Sequence, residues 1–204
     1  MIPVPSEKRY DIKVRSGVSS EEMASAATGT LRSDGRGQDP YLFHTVDGRD
    51  YQTKISTLRG DYRAKDGSIG NALRLWKKSD YKPRPKDIFQ ERLYAIHWMK
   101  PKKTGKKFDY KFTEISQDDL QRERIVEEFV AKHFSEWQAK AWIPDMRIEP
   151  GDKTDEPIRT RGWTHWHHLF PARHLMLLGL IRKFGSNTNG LLMLSRILNY
   201  SGKL

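Results

Sequence analysis

The stretch from Gly162 to Phe184, GWTHWHHLFPARHLMLLGLIRKF, is the most apolar and aromatic run in the chain, whose mean hydropathy is only −0.78. So polar a chain has few places to start a core, and its fold depends on what comes to cover this stretch. Pro171 suits the first turn of a helix, where its missing N–H would have no partner anyway. Leu175, Met176, Leu178, Leu180, Ile181 and Phe184 then supply a wide apolar face, and Arg182, Lys183 and Gly185 form a stop signal. The pattern predicts a buried helix over 171–184. In the lead-in, Trp163, His165, Trp166, His167 and His168 carry ring N–H groups that need partners once buried. The lead-in therefore reads as a packed structural corner built from Trp163, Trp166, Phe170 and Arg173, or as the wall of a site.

The remaining periodicities place this helix in an α+β chain, with β-hairpins in the first half and about three helices (117–140, 171–184 and 189–200) in the second. Residues 1–40 open with a Pro-containing arm and a short strand at Tyr10–Val14, then run into a Gly-rich, small-residue tract without periodicity, read as an N-terminal arm. The α+β segment is expected over 41–204. YLFHTV and RDYQTKI, joined at Asp47-Gly48, predict a hairpin over 41–55. Leu58 to Asp87 reads as an extended surface excursion, broken by glycines and prolines. A second hairpin is expected from Leu93–Met99 and Lys107–Thr113 around PKKTGK, with Tyr94, Ile96 and Trp98 on one strand and Phe108, Tyr110 and Phe112 on the other available to pack on helices. Leu120, Val126, Phe129, Val130, Phe134 and Trp137 keep helical spacing behind Ser116 and Asp119, which resemble a capping box. The Pro- and charge-rich segment from Ala141 to Gly162 is an irregular connector, and Gly190 to Tyr200 an apolar helix that expects further protein over it.

Charge narrows the partners. The 204 residues hold 37 Lys plus Arg against 26 Asp plus Glu, a net charge of +11 that draws polyanions, nucleic acid first. Absence of cysteine excludes disulfides, thiol nucleophiles and Cys-ligated metals, and points to a reducing cytoplasm. The longest apolar run, 175–181, falls short of the ~20 residues that span a bilayer, so no membrane segment is expected. Lys102, Lys103, Lys106 and Lys107 sit in the turn of the second hairpin, where they can contact phosphates or simply keep a turn solvated. Lys77, Lys78, Lys82, Arg84 and Lys86, interleaved with Trp76 and Tyr81, form a second basic stretch. Its Arg84 and Lys86 complete the candidate phosphate contacts. His165, His167, His168 and His174 invite a metal, yet no carboxylate accompanies them at ligand spacing; satisfied polar edges around buried tryptophans are the leading reading and a His-metal hydrolase the lesser one. Gly-rich phosphate loops and nucleophile–base motifs are absent, and Asp39-Pro40-Tyr41 lacks the second proline of an Asp-Pro-Pro-aromatic tetrapeptide.

Three runs carry a family resemblance: Asp87-Ile88-Phe89-Gln90-Glu91-Arg92-Leu93-Tyr94-Ala95-Ile96; Trp142-Ile143-Pro144-Asp145-Met146 with Ile148-Glu149-Pro150-Gly151; and Gly162 to Leu180, where Leu169, Phe170, Pro171 and Arg173 open a helix. Together they resemble the large adenine-specific DNA methylases associated with anti-phage defence islands. The resemblance runs from about Pro3 to the end of the chain. It implies a segment of an S-adenosylmethionine-dependent enzyme with a doubly wound α/β catalytic domain, partnered by DNA and by the rest of the methyltransferase chain. The Gly-rich cofactor loop and the Asp-Pro-Pro-Tyr-type tetrapeptide of that family have no counterpart here, nor does the Cys-rich zinc ribbon of many relatives. No catalytic residue carries over, and this segment is expected to bind no cofactor or metal itself. The expected role is DNA contact and core packing, with a stand-alone nucleic-acid-binding module as the alternative.

Overall fold

The computed structural model describes residues 2–4, 9–11, 13–15, 17–27, 31–32, 41–46, 48–102, 108–152 and 154–185. In chain order the elements are β1 (Ile2–Val4), β2 (Arg9–Asp11), α1 (Ser20–Ala27), β3 (Leu31–Arg32), β4 (Tyr41–Val46), β5 (Arg49–Lys54) and α2 (Ile55–Arg59). Then follow β6 (Tyr62–Arg63), β7 (Ile69–Gly70), β8 (Ile96–Pro101), β9 (Phe108–Thr113), α3 (Gln117–Ala139), α4 (Asp155–Arg161), a 3₁₀ turn over Trp166–Leu169 and α5 (Ala172–Phe184). This is an α+β chain, with hairpins early and the longest helices late. It divides into two compact units, each discontinuous in sequence: Met1–Asp61 with Arg92–Gln117, and Tyr62–Glu91 with Asp118–Leu204.

The first unit is built of small antiparallel sheets: β1 with β2, β3–β4–β5, and β8 with β9. The expected hairpin over 41–55 forms with Tyr41 opposite Lys54 and Val46 opposite Arg49. Within the arm, the tract read as aperiodic contains α1. Its start is a reciprocal capping box, in which Ser19 Oγ accepts the Glu22 N–H at 3.1 Å and Glu22 Oε2 accepts the Ser19 N–H at 2.9 Å. The signal was in the sequence as Ser-x-x-Glu, without an apolar face to go with it. The second hairpin pairs Ile96–Pro101 with Phe108–Thr113. Its aromatic side chains do not pack on helices as expected: Tyr94, Trp98, Tyr110 and Phe112 are each more than half exposed.

The second unit holds the core. Val130, Phe134 and Trp137 of α3 interlock with Ala172, Leu175 and Leu178 of α5 and with Ile143, all nearly inaccessible to solvent. Burial of side chains this size contributes roughly 1.5–3 kcal/mol each, which lets two amphipathic helices stand in a very polar chain. The helices approach closely at Gly179, where a Cβ would lie 2.5 Å from the Trp137 ring. The predicted faces of both helices are the ones used, with one exception: Phe184, at the end of α5, is 73% exposed. The connector expected before Gly162 contains α4. Asp155 and Glu156 in its first turn, Arg159 and Arg161 in its last, and Gly162 as a left-handed cap complement the helix dipole at both ends. The excursion expected over 58–87 is also corrected, because Trp76 and Asp80 within it are buried. The helix expected over 189–200 lies outside the described residues.

Candidate functional site

Two places carry the sequence-derived site residues, one in each unit. In the second unit, the corner before α5 is fastened to residues 74–87. The Trp76 N–H donates to the Gly162 carbonyl at 2.8 Å, and the Thr164 hydroxyl donates to the Trp76 carbonyl at 2.6 Å. The single hydroxyl proton is engaged there, so at its 2.8 Å contact with His165 Nδ1 the oxygen must accept, and His165 carries its proton on Nδ1. His168 Nδ1 accepts the backbone N–H groups of Thr164 and His165, while its Nε2–H donates to the Lys77 carbonyl at 3.1 Å. His167 Nε2–H donates to the Asp80 carbonyl at 3.0 Å; its Nδ1 lone pair meets no donor among the described residues.

These imidazoles are therefore neutral structural donors. Burial pushes His167 down to about 4 and His168 to about 3, against opposing pulls from the Asp80 and Lys77 carbonyls. No group of three or more His, Asp or Glu side chains converges as a metal would require, among the described residues. His174 lies apart on α5, its pKa lowered by burial and then by Arg173.

Beneath the corner lies an ion-pair knot that the sequence pattern does not reveal. Arg74 forks onto Asp87 through Nε at 2.7 Å and Nη2 at 2.6 Å, and reaches Asp80 with Nη1 at 2.6 Å. Arg84 forks onto the other Asp80 oxygen at 3.0 and 2.8 Å. Burial opposes the Asp80 charge, but the Lys77 N–H, Arg74 and Arg84 outweigh it and hold the carboxyl below its ordinary range. The hydrogen bond from Arg74 does the same for Asp87. The only local trace of this knot is the four-residue spacing of Asp80 and Arg84; its other members meet through the turns at 77–80 and 84–87.

Most of the second basic stretch is thus engaged by carboxylates. Besides Arg84 on Asp80, Lys78 pairs with Asp145 at 2.7 Å and Lys82 with Glu127 at 2.5 Å. Lys86 is exposed. Of the corner residues, Trp163 meets Trp76 edge to face at 6.2 Å, Phe170 packs against the core, Arg173 pairs with Glu123 at 3.2 Å, and Trp166 is 37% exposed.

In the first unit, the register of the β8–β9 hairpin sorts its side chains, because residues directly opposite each other project to the same side. Opposite pairs are His97 with Phe112, Met99 with Tyr110 and Pro101 with Phe108 on one face, and Trp98 with Lys111 and Lys100 with Asp109 on the other. One face carries four rings, and the other carries Lys100 and Lys111 beside Asp109 and a single ring, Trp98. His97 stacks on Phe112 with centroids 4.2 Å apart and planes 4° from parallel. On the basic face the Trp98 indole N–H donates to Thr113 Oγ1 at 3.0 Å, and Lys102 pairs with Asp109 at 2.9 Å. Lys100 and Lys111 have no acidic partner among the described residues; neither stands out in the sequence, since only the register puts them on a common face. Lys103, Lys106 and Lys107 lie outside the described residues. Arg84 and Lys86 belong to one unit and Lys102 to the other.

No helix among the described residues is long and apolar enough to cross a membrane. Comparison with protein-family models, with curated proteins and with solved structures finds no match for this chain.

Proposed function

We propose that this chain is a DNA-binding, non-catalytic segment of an adenine-specific DNA methyltransferase, supplying phosphate contacts and a packed scaffold while methyl transfer is carried out elsewhere. The observation that carries the DNA part is the basic face of the β8–β9 hairpin, where Lys100 and Lys111 stand on adjoining strands, with Lys102 just beyond the end of β8. Lysines so placed contact backbone phosphates without reading sequence, and each phosphate neutralised releases counterions. The net charge of +11 gives the same partner a long-range attraction. The methyltransferase part rests on the resemblance. Its runs supply Asp87 to the ion-pair knot, Ile143 and Ile148 to the interior and Gly162 to the corner, which is a scaffolding role.

A gel-shift series on duplex DNA tests the reading: affinity should fall by at least about tenfold between ~50 and 200 mM salt if several phosphates are held. Binding that ignores salt, or no binding at the lower salt, overturns it. In parallel, labelled S-adenosylmethionine should not be retained by the purified chain; stoichiometric retention would show a complete cofactor site and end the non-catalytic assignment.

A further inference from the structure

The β8–β9 sheet is two strands wide, so no third strand covers either flank among the described residues, and its aromatic face is open: Met99, Phe108, Tyr110 and Phe112 are 54, 42, 59 and 55% exposed. A contiguous apolar patch of this kind marks a contact surface rather than ordinary surface scatter. Charge selects the occupant. Between Ile96 and Thr113 the sequence places six lysines, at 100, 102, 103, 106, 107 and 111, against the single carboxylate of Asp109. A second copy of this chain would bring two strongly cationic hairpins together, and like charges repel. The complementary partner is a polyanion that also offers flat apolar faces. Unpaired nucleic acid is that partner, since a duplex keeps its base faces stacked on one another, out of reach of a flat protein surface.

Alternate residues of β9 put Phe108, Tyr110 and Phe112 on one face, and the Phe108 and Tyr110 ring centroids lie 6.4 Å apart. We infer that the face formed by His97, Phe108, Tyr110 and Phe112 is a stacking platform for the bases of a single strand, with Lys100 and Lys111 of the same hairpin holding its phosphates. Lysine stems are long enough to bring their ammonium groups from the basic face round the strand edge. The inference rests on the nucleic-acid reading above and adds to it the strandedness of the ligand and the residues that sense it.

Anisotropy titrations of the full chain with a labelled 15-nucleotide oligo-dT and a labelled duplex of equal length test it. The native chain should prefer the single strand. Tyr110→Leu with Phe112→Leu, which keeps apolar area but removes both π faces, should weaken single-strand binding by at least about fivefold per ring, leaving duplex affinity and the salt dependence unchanged. Tyr110→Trp, which keeps a ring, should bind the single strand as well as or better than the native chain; a tenfold loss there overturns the platform even if the double variant fails to fold. Equal affinity for both nucleic acids, unmoved by the double variant, overturns the platform and leaves phosphate binding standing. No salt-dependent binding to either overturns both. A concentration-dependent dimer abolished by the double variant would give the face to self-association instead.

Discussion

Trp137 and Trp98 are the same residue in opposite circumstances, 1% and 57% exposed, and they typify the two units. Around Trp137 the rings interlock with aliphatic side chains, and the neighbouring corner leaves nearly every imidazole proton with a partner. Around Trp98 the rings stand on a two-stranded hairpin with solvent on both sides. The contrast teaches that aromatic content alone does not mark a core. What decides is whether the backbone brings a second layer onto the ring.

The contrast can be broken by pH. His167 and His168 are held well below their ordinary value of 6.5, so between about pH 6.5 and 4 the unfolded chain takes up protons at these positions that the folded chain refuses. Stability must therefore fall as pH falls through that window. Going from pH 7 to 5 should cost about 2 kcal/mol per imidazole, about 4 kcal/mol for the pair, in the second unit. Urea midpoints at the two pH values, read by fluorescence of the buried tryptophans, check this; a midpoint that does not move would mean that the folded corner accepts the protons.

A matched pair of glycine substitutions sharpens the comparison. Gly162 and Gly48 have nearly the same positive φ, 74° and 72°, but a Cβ at Gly162 would lie 2.2 Å from the Arg74 carbonyl oxygen whereas one at Gly48 meets nothing within 4 Å. Gly162→Ala should cost about 3 kcal/mol or more, backbone strain plus a clash that cannot be relieved by a rotamer, and Gly48→Ala about 1 kcal/mol. Equal losses by thermal denaturation would show that the corner is not the tight joint described. Smallest in stability is Lys100→Gln with Lys111→Gln on the hairpin, expected within about 0.5 kcal/mol of the native chain. Its effect belongs to binding: the slope of log affinity against log salt on duplex DNA should fall by about two, one for each phosphate no longer neutralised. A slope that stays constant would remove these lysines from the interface.

Periodic elements were legible. The helix over 117–140 appears as Gln117–Ala139 with Val130, Phe134 and Trp137 inward, because an apolar stripe at helical spacing has one way to be buried. The hairpin over 41–55 followed from two β-rich runs and a turn dipeptide. Helices α1 and α4 were missed because each is short and defined by its ends more than by an apolar face. At the candidate site, the polar-edge reading of His167 and His168 agrees with their bonds to backbone carbonyls, but their partners Asp80 and Lys77 lie 87 and 91 residues away. Such a pairing leaves no local pattern. Arg84 shows the same difficulty in reverse: in sequence it is one more cation in a basic run, and in space it is forked onto Asp80.

The sequence by itself determined the charge, the two long helical stripes and the strand-forming runs, because these depend on residue type and local spacing. Tertiary structure decided which of the aromatic runs became interior, which cations were neutralised by carboxylates, and which face of the hairpin carries rings and which carries lysines. Those outcomes depend on register and on long-range pairing, and a one-residue slip between β8 and β9 would exchange the partners of every ring without altering a single letter of the chain.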